Sequence, residues 1–163
     1  MITNYHHRLF FIVIALMFSG CATPPFNLEG ADRKMVPQQS LDDPSSLNKR
    51  VVWGGLIVGT RNFKDSSQIE VLSFPLGRNS EPQRSAKPQG RFLILQEGYL
   101  EPASYTSGRW ISAIGTVAAS QKGKVGEADY HYPVMRAENT HLWSESSESD
   151  VKTRFSIGIG ISR

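Results

Sequence analysis

The chain has 163 residues, 18 Lys and Arg against 15 Asp and Glu, 39% hydrophobic residues and one cysteine. That length suits one domain rather than two, and the ordinary apolar content supports a packed core and argues against wholesale disorder. A charge so near balance argues against a nucleic-acid binder, and a single cysteine leaves no internal disulfide.

Residues 4–8 make a short polar start with one firm positive charge, Arg8, and residues 9–18 (LFFIVIALMF) are an unbroken apolar run. Ser19 and Gly20 then supply small residues before Cys21. A positive end, a short apolar stretch and a small-residue cleavage region make an export signal, so residues 1–20 are expected to be removed. A membrane-spanning helix is the competing reading, but this run covers only about half of a ~30 Å hydrocarbon core. Phe18-Ser19-Gly20-Cys21 resembles the bacterial lipobox, with Phe18 where Leu is usual. The resemblance implies a diacylglycerol thioether on Cys21, cleavage before it and acylation of the new amine, and two or more chains suffice for stable anchoring. Ala22, rather than Asp, in the next position implies sorting to the outer membrane. Beyond the signal the chain keeps 17 basic against 15 acidic residues.

Residues 21–50 hold Pro24, Pro25, Pro37 and Pro44 with no sustained apolar period. They read as the lipidated start and a flexible tether, with room for a short helix over 38–48. From Val51 the texture becomes β-like, and residues 51–143 are assigned to the folded domain. Residues 51–59 (VVWGGLIVG) are rich in β-branched side chains, with Gly54-Gly55 marking a bulge or bend. Residues 68–76 alternate, with Ile69, Val71 and Ser73 on one side and Glu70, Leu72 and Phe74 on the other. Residues 77–89 form a polar loop, 91–96 (RFLILQ) a short strand, and 101–108 a helical turn closed by Gly108. Residues 109–119 are the next strand, 121–124 a turn, and 125–143 an extended stretch broken near Pro133 and Glu138-Asn139. Short strands, close turns and glycines inside strands indicate an all-β fold. The expected architecture is a small closed or partly open barrel, OB-like, of five to six strands, with a small open sandwich as the alternative.

The tail, residues 144–163, opens with a polar acidic run and ends in alternation of Phe155, Ile157, Ile159 and Ile161 with small residues. That is a strand pattern with one apolar face.

Candidate chemistry is sparse. Trp53, Tyr99, Tyr105, Trp110, Tyr130, Tyr132 and Trp143 could stack a ligand on the open face of a barrel, or simply fill and rim the core. Glu127, Asp129 and His131, two apart, would share one face of an unbroken strand and are weak candidates for a divalent metal; a solvated face opposite Ala128, Tyr130 and Tyr132 is the plainer account. Arg91 and Arg109 read as edge charges. The sequence holds no nucleophile elbow, phosphate loop or zinc-helix motif, and calls for no cofactor and no catalytic residue.

Trp53-Gly54-Gly55, residues 69–76 (IEVLSFPL), Gly90-Arg91-Phe92, residues 98–105 (GYLEPASY), Gly108-Arg109 and residues 130–134 (YHYPV) resemble the Slp family of outer-membrane lipoproteins. The resemblance runs from Cys21 to about Trp143. It implies a lipid-anchored outer-membrane protein with its domain on the periplasmic side, linked to starvation or stress, without established catalysis. On that footing the chain is expected to contact an envelope protein partner and to serve envelope integrity. The alternative is a binding module for a small ligand, glycan or peptidoglycan fragment.

Overall fold

Alternation along one strand sets the walls of the fold. In β2 (Ser66–Ser73), Ser67, Ile69, Val71 and Ser73 are buried, whereas Gln68, Glu70 and Leu72 on the opposite face are half-buried. A computed structural model describes residues 24–144; the export signal, Cys21 and the alternating C-terminal tail lie outside the described residues. Within them five strands form: β1 (Arg50–Asn62), β2, β3 (Arg91–Glu97), β4 (Trp110–Val125) and β5 (Ala128–Trp143). They close a barrel in the order β1-β2-β3-β5-β4. All neighbours are antiparallel except β3 and β5, which run parallel. The pairing of β1 with β4, from Arg50 opposite Thr116 to Leu56 opposite Trp110, makes the sheet a ring and excludes the open sandwich. This is a five-stranded Greek-key barrel of the OB type.

Trp53 and Phe92 occupy the middle of the barrel, edge to face at 5.3 Å between ring centroids. The buried Trp53 indole keeps its N–H satisfied by donating to the Met35 carbonyl at 2.9 Å. Strong curvature brings backbones into contact where a side chain would not fit. A Cβ on Gly55 would lie 1.9 Å from the Leu72 carbonyl oxygen, and one on Gly115 2.1 Å from that of Arg136.

The long β4–β5 hairpin differs from the sequence expectation in an instructive way. Residues 121–124 belong to β4 rather than to a turn, and the reversal comes at Gly126, in the left-handed region at φ 61°. Pro133 and Glu138-Asn139 do not break β5. The register slips between Ala118 and Gln121, opposite Pro133, and between Ile114 and Gly115, opposite Glu138. The extra β4 residue interrupts the ladder opposite Pro133, so the strand accommodates a proline that has no donor to give there.

The segment before β1 also differs from expectation, because residues 24–49 lie against the barrel instead of hanging from it. Phe26 is buried over Val52 and Ile114, which face each other across the β1–β4 pairing. Asp32 bridges to Val51 in parallel, and Arg50 donates to the Asn27 and Glu29 carbonyls. A short helix α1 (Gln39–Asp42) and a 3-10 turn (Pro44–Ser46) follow, the turn capped by the Asp43 carboxylate. Hydrogen bonds from Ser45, with a smaller contribution from Lys49, lower the Asp43 pKa. The loop after β2 is likewise tied down: Leu76 bridges to Pro82, and Ser112 donates to the Ser80 carbonyl at 2.6 Å. Among the described residues no helix is long and apolar enough to cross a membrane.

Candidate functional site

The aromatic candidates do not form one surface. Trp53 is in the core, and Tyr105 packs half-buried against that core with its hydroxyl 3.2 Å from Thr140 Oγ1. Tyr99 is 68% exposed and stands apart. Trp110 sits edge to face with Phe74 at 5.0 Å beneath the Arg84 guanidinium. Trp143 packs on His141 at 4.4 Å and donates to Ser112 Oγ. Only Tyr130 and Tyr132 pair, at 4.7 Å, because residues two apart in β5 share a face.

Those two tyrosines anchor a second, smaller apolar layer. β4 continues past the start of β1, and the far part of the β4–β5 hairpin folds over the outer side of β3, where Tyr132 and Val134 meet Leu93. Tyr130 accepts at its hydroxyl from the Arg91 backbone N–H at 2.8 Å and from Gln38 Nε2 at 2.7 Å. The hairpin is thus bound both to β3 and to the N-terminal segment.

Glu127, Asp129 and His131 are exposed on this hairpin. Among the described residues no three His, Cys, Asp or Glu side chains group to hold a metal ion. Across the ladder, Asp129 faces Lys124 and His131 faces Lys122, so cations already occupy the neighbouring positions.

Between this hairpin and the end of β1 lies a cleft of about 370 Å³. Gly59, Thr60 and Arg61 form one side; Gln121, Gly123 and Lys124 form the other; Gln68, Glu70, Leu93 and Tyr132 make the floor. The floor is fixed by an ion pair, Arg91 Nη1 to Glu70 Oε1 at 2.6 Å, both side chains more than two-thirds covered. Arg91, outside the lining, therefore braces the floor through Glu70 and is more than an edge charge. The Tyr132 hydroxyl lies 3.1 Å from Glu70 Oε1 and 3.1 Å from the Lys124 carbonyl, and its single proton serves one at a time. Burial, and then the Glu70 hydrogen bond, raise the Tyr132 pKa above its ordinary value of 10.0. The phenol stays protonated and acts as a donor, while Glu70, matched by Arg91, acts as an acceptor.

Gly59 closes a register shift in the β1–β2 ladder after Ile57, and that bulge favours a glycine without requiring one. Gly59 is absent from the positive-φ positions, and a Cβ there would meet nothing within 4 Å. Gly123 differs, since a Cβ on it would crowd the Tyr132 ring at 3.0 Å. A glycine in a strand costs about 0.5–1 kcal/mol against alanine, and it marks a bulge, as here, or close approach of a ligand. Of the cleft residues, sequence reading singled out only Tyr132. The available signal was Glu70, an outward carboxylate in an otherwise apolar alternating strand; the rest converge from four strands far apart in sequence.

The fold and the cleft define a small Greek-key barrel with a polar groove over its second and third strands. Residues 18–158 match the outer membrane lipoprotein Slp family, and the chain belongs to that family. It is 34% identical over 149 residues to an uncharacterized protein of Haemophilus influenzae, spanning 89% of this chain and 80% of that one. It is 28% identical to the uncharacterized lipoprotein YeaY of Escherichia coli, over 79% of this chain and 68% of the relative. It is 22% identical to the outer membrane protein Slp of the same organism, over 80% and 71%. No solved structure matches. The chain is an outer-membrane lipoprotein by family.

Proposed function

We propose that this chain is a non-catalytic envelope lipoprotein, held to the periplasmic side of the outer membrane by lipid on Cys21. Its barrel serves envelope integrity or a starvation and stress response through contact with a protein partner. The observation that carries the reading is the burial of Phe26 against Val52 and Ile114, only five residues after Cys21. At ~3.3–3.6 Å per residue, that spacing holds the barrel within about 18 Å of the acylated residue. A domain so confined works on what lies beside it. The family match supports the anchor, since it begins at Phe18 and takes in the lipobox-like residues.

Two measurements test this. A fatty-acid probe should label the wild type, and Cys21→Ser should lose both the label and sedimentation with membranes; a substituted chain that still sediments refutes the anchor. Photocrosslinkers placed in living cells at Leu47 and Phe63, both more than half exposed, should trap a discrete protein partner. A smear of abundant neighbours unchanged by Cys21→Ser refutes the contact role.

The second reading, a binding module for a small ligand, glycan or peptidoglycan fragment, is favoured by the cleft over β2 and β3.

A further inference from the structure

We infer that the cleft between Gly59–Arg61 and Gln121–Lys124 is a binding site for an anionic saccharide, a sugar carrying a carboxylate or phosphate. The inference rests on the second reading above and narrows it to a ligand class.

Charge is the first reason. Arg61 and Lys124 rise on opposite sides of the cleft, and among the described residues neither has an ion-pair partner. Glu70, the acidic group of the floor, is already matched by Arg91 at 2.6 Å. The groove therefore offers positive charge to an anion from both sides, that of Lys124 shared with Asp129 across the ladder.

Hydrogen-bonding character is the second. The side-chain amides of Gln68 and Gln121 and the second oxygen of Glu70 have no protein partner among the described residues. Amides donate and accept, and a carboxylate accepts, which suits sugar hydroxyls that do both. Bases are a poor fit, because the aromatic ring of the floor, Tyr132, is only 5% exposed and presents no stacking platform.

Space is the third. A volume of about 370 Å³ lies within the ~300–1,000 Å³ range of small-ligand clefts. Gly59, at the bulge in β1, keeps the wall beside Arg61 bare where a side chain would meet nothing within 4 Å.

The test uses the full lipidated chain in detergent micelles, titrated by saturation-transfer NMR. The probes are N-acetylmuramic acid, glucosamine 6-phosphate, uncharged N-acetylglucosamine and inorganic phosphate. At least one acidic sugar should saturate, about tenfold or more tighter than N-acetylglucosamine and than phosphate, a ratio in keeping with one charge-assisted contact. The two acidic probes separate a carboxylate source from a phosphate source. Gly59→Leu, which puts bulk into open space, and the double variant Arg61→Ala/Lys124→Ala should each weaken binding about tenfold or more without lowering the melting temperature. Equal binding of the neutral sugar, equal binding of phosphate, or undiminished affinity in both variants overturns the assignment. Saturation by none of the probes overturns it together with the binding-module reading, and leaves the contact role standing.

Discussion

Gly55 and Gly59, four residues apart in β1, answer to opposite demands. Gly55→Ala should destabilise the barrel by about 3 kcal/mol, the upper end of ordinary overpacking, because the Leu72 carbonyl leaves no room for a methyl group. Gly59→Ala should be neutral or raise stability by about 0.5–1 kcal/mol. Urea denaturation of the two variants decides it, and similar losses in both would refute the distinction. The glycines were legible in sequence as marks of curvature. Their difference was not, because the atom that forbids a side chain at Gly55 belongs to a residue on the neighbouring strand. Tyr132 gives a pH prediction. Its folded pKa is raised, so the stability linked to its proton is complete below about pH 10 and is lost as pH climbs through the folded value. Tyr132→Phe removes that linkage, so the stability gap between wild type and variant should hold constant below about pH 10 and narrow as pH rises above it. A gap constant throughout would show that Tyr132 titrates alike in folded and unfolded chains.

Among the elements, the N-terminal segment shows best where pattern reading stops. Its apolar residues, Phe26, Leu28, Ala31 and Met35, follow neither a period of two nor one of 3.6, since an irregular chain lays them on the barrel. The surface they cover belongs to β1 and β4, which no local window contains. Phe26→Ala should cost about 2–3 kcal/mol, near or below the usual range for phenylalanine because the site lies at the barrel's outer surface. The same substitution should open residues 24–35 to limited proteolysis while the five strands stay protected, and unchanged cleavage would contradict the packing. β4 and β5 teach a related lesson. Lys, Gly and Pro in a strand read as interruptions, yet here they mark an exposed ribbon and bulges that bend it without ending it. β2, by contrast, was readable side by side, because one of its faces is core and the other is not.

At the scale of the molecule, the all-β class and the barrel followed from short alternating runs and in-strand glycines. Closure depends on pairing β1 with β4, about 60 positions downstream, which no strand pattern specifies by itself. The cleft needs in addition the far hairpin of β4 and β5 set beside β3, and so it too was out of reach of the sequence. Because the described strands already complete the ring, deleting residues 150–163 should leave the melting temperature within about 2 °C of wild type. A fall well beyond that would mean that the tail shares in the fold. The lead-in segment has a mechanical consequence. With acyl chains on Cys21, tension in the bilayer would travel along a taut lead and enter the protein at Phe26, which sits astride the Val52–Ile114 pair. That is the join whose parting turns a hoop into an open ribbon. Stretching the envelope would then load this seam before the other joins of the ring, and the barrel would feel force at its attachment point.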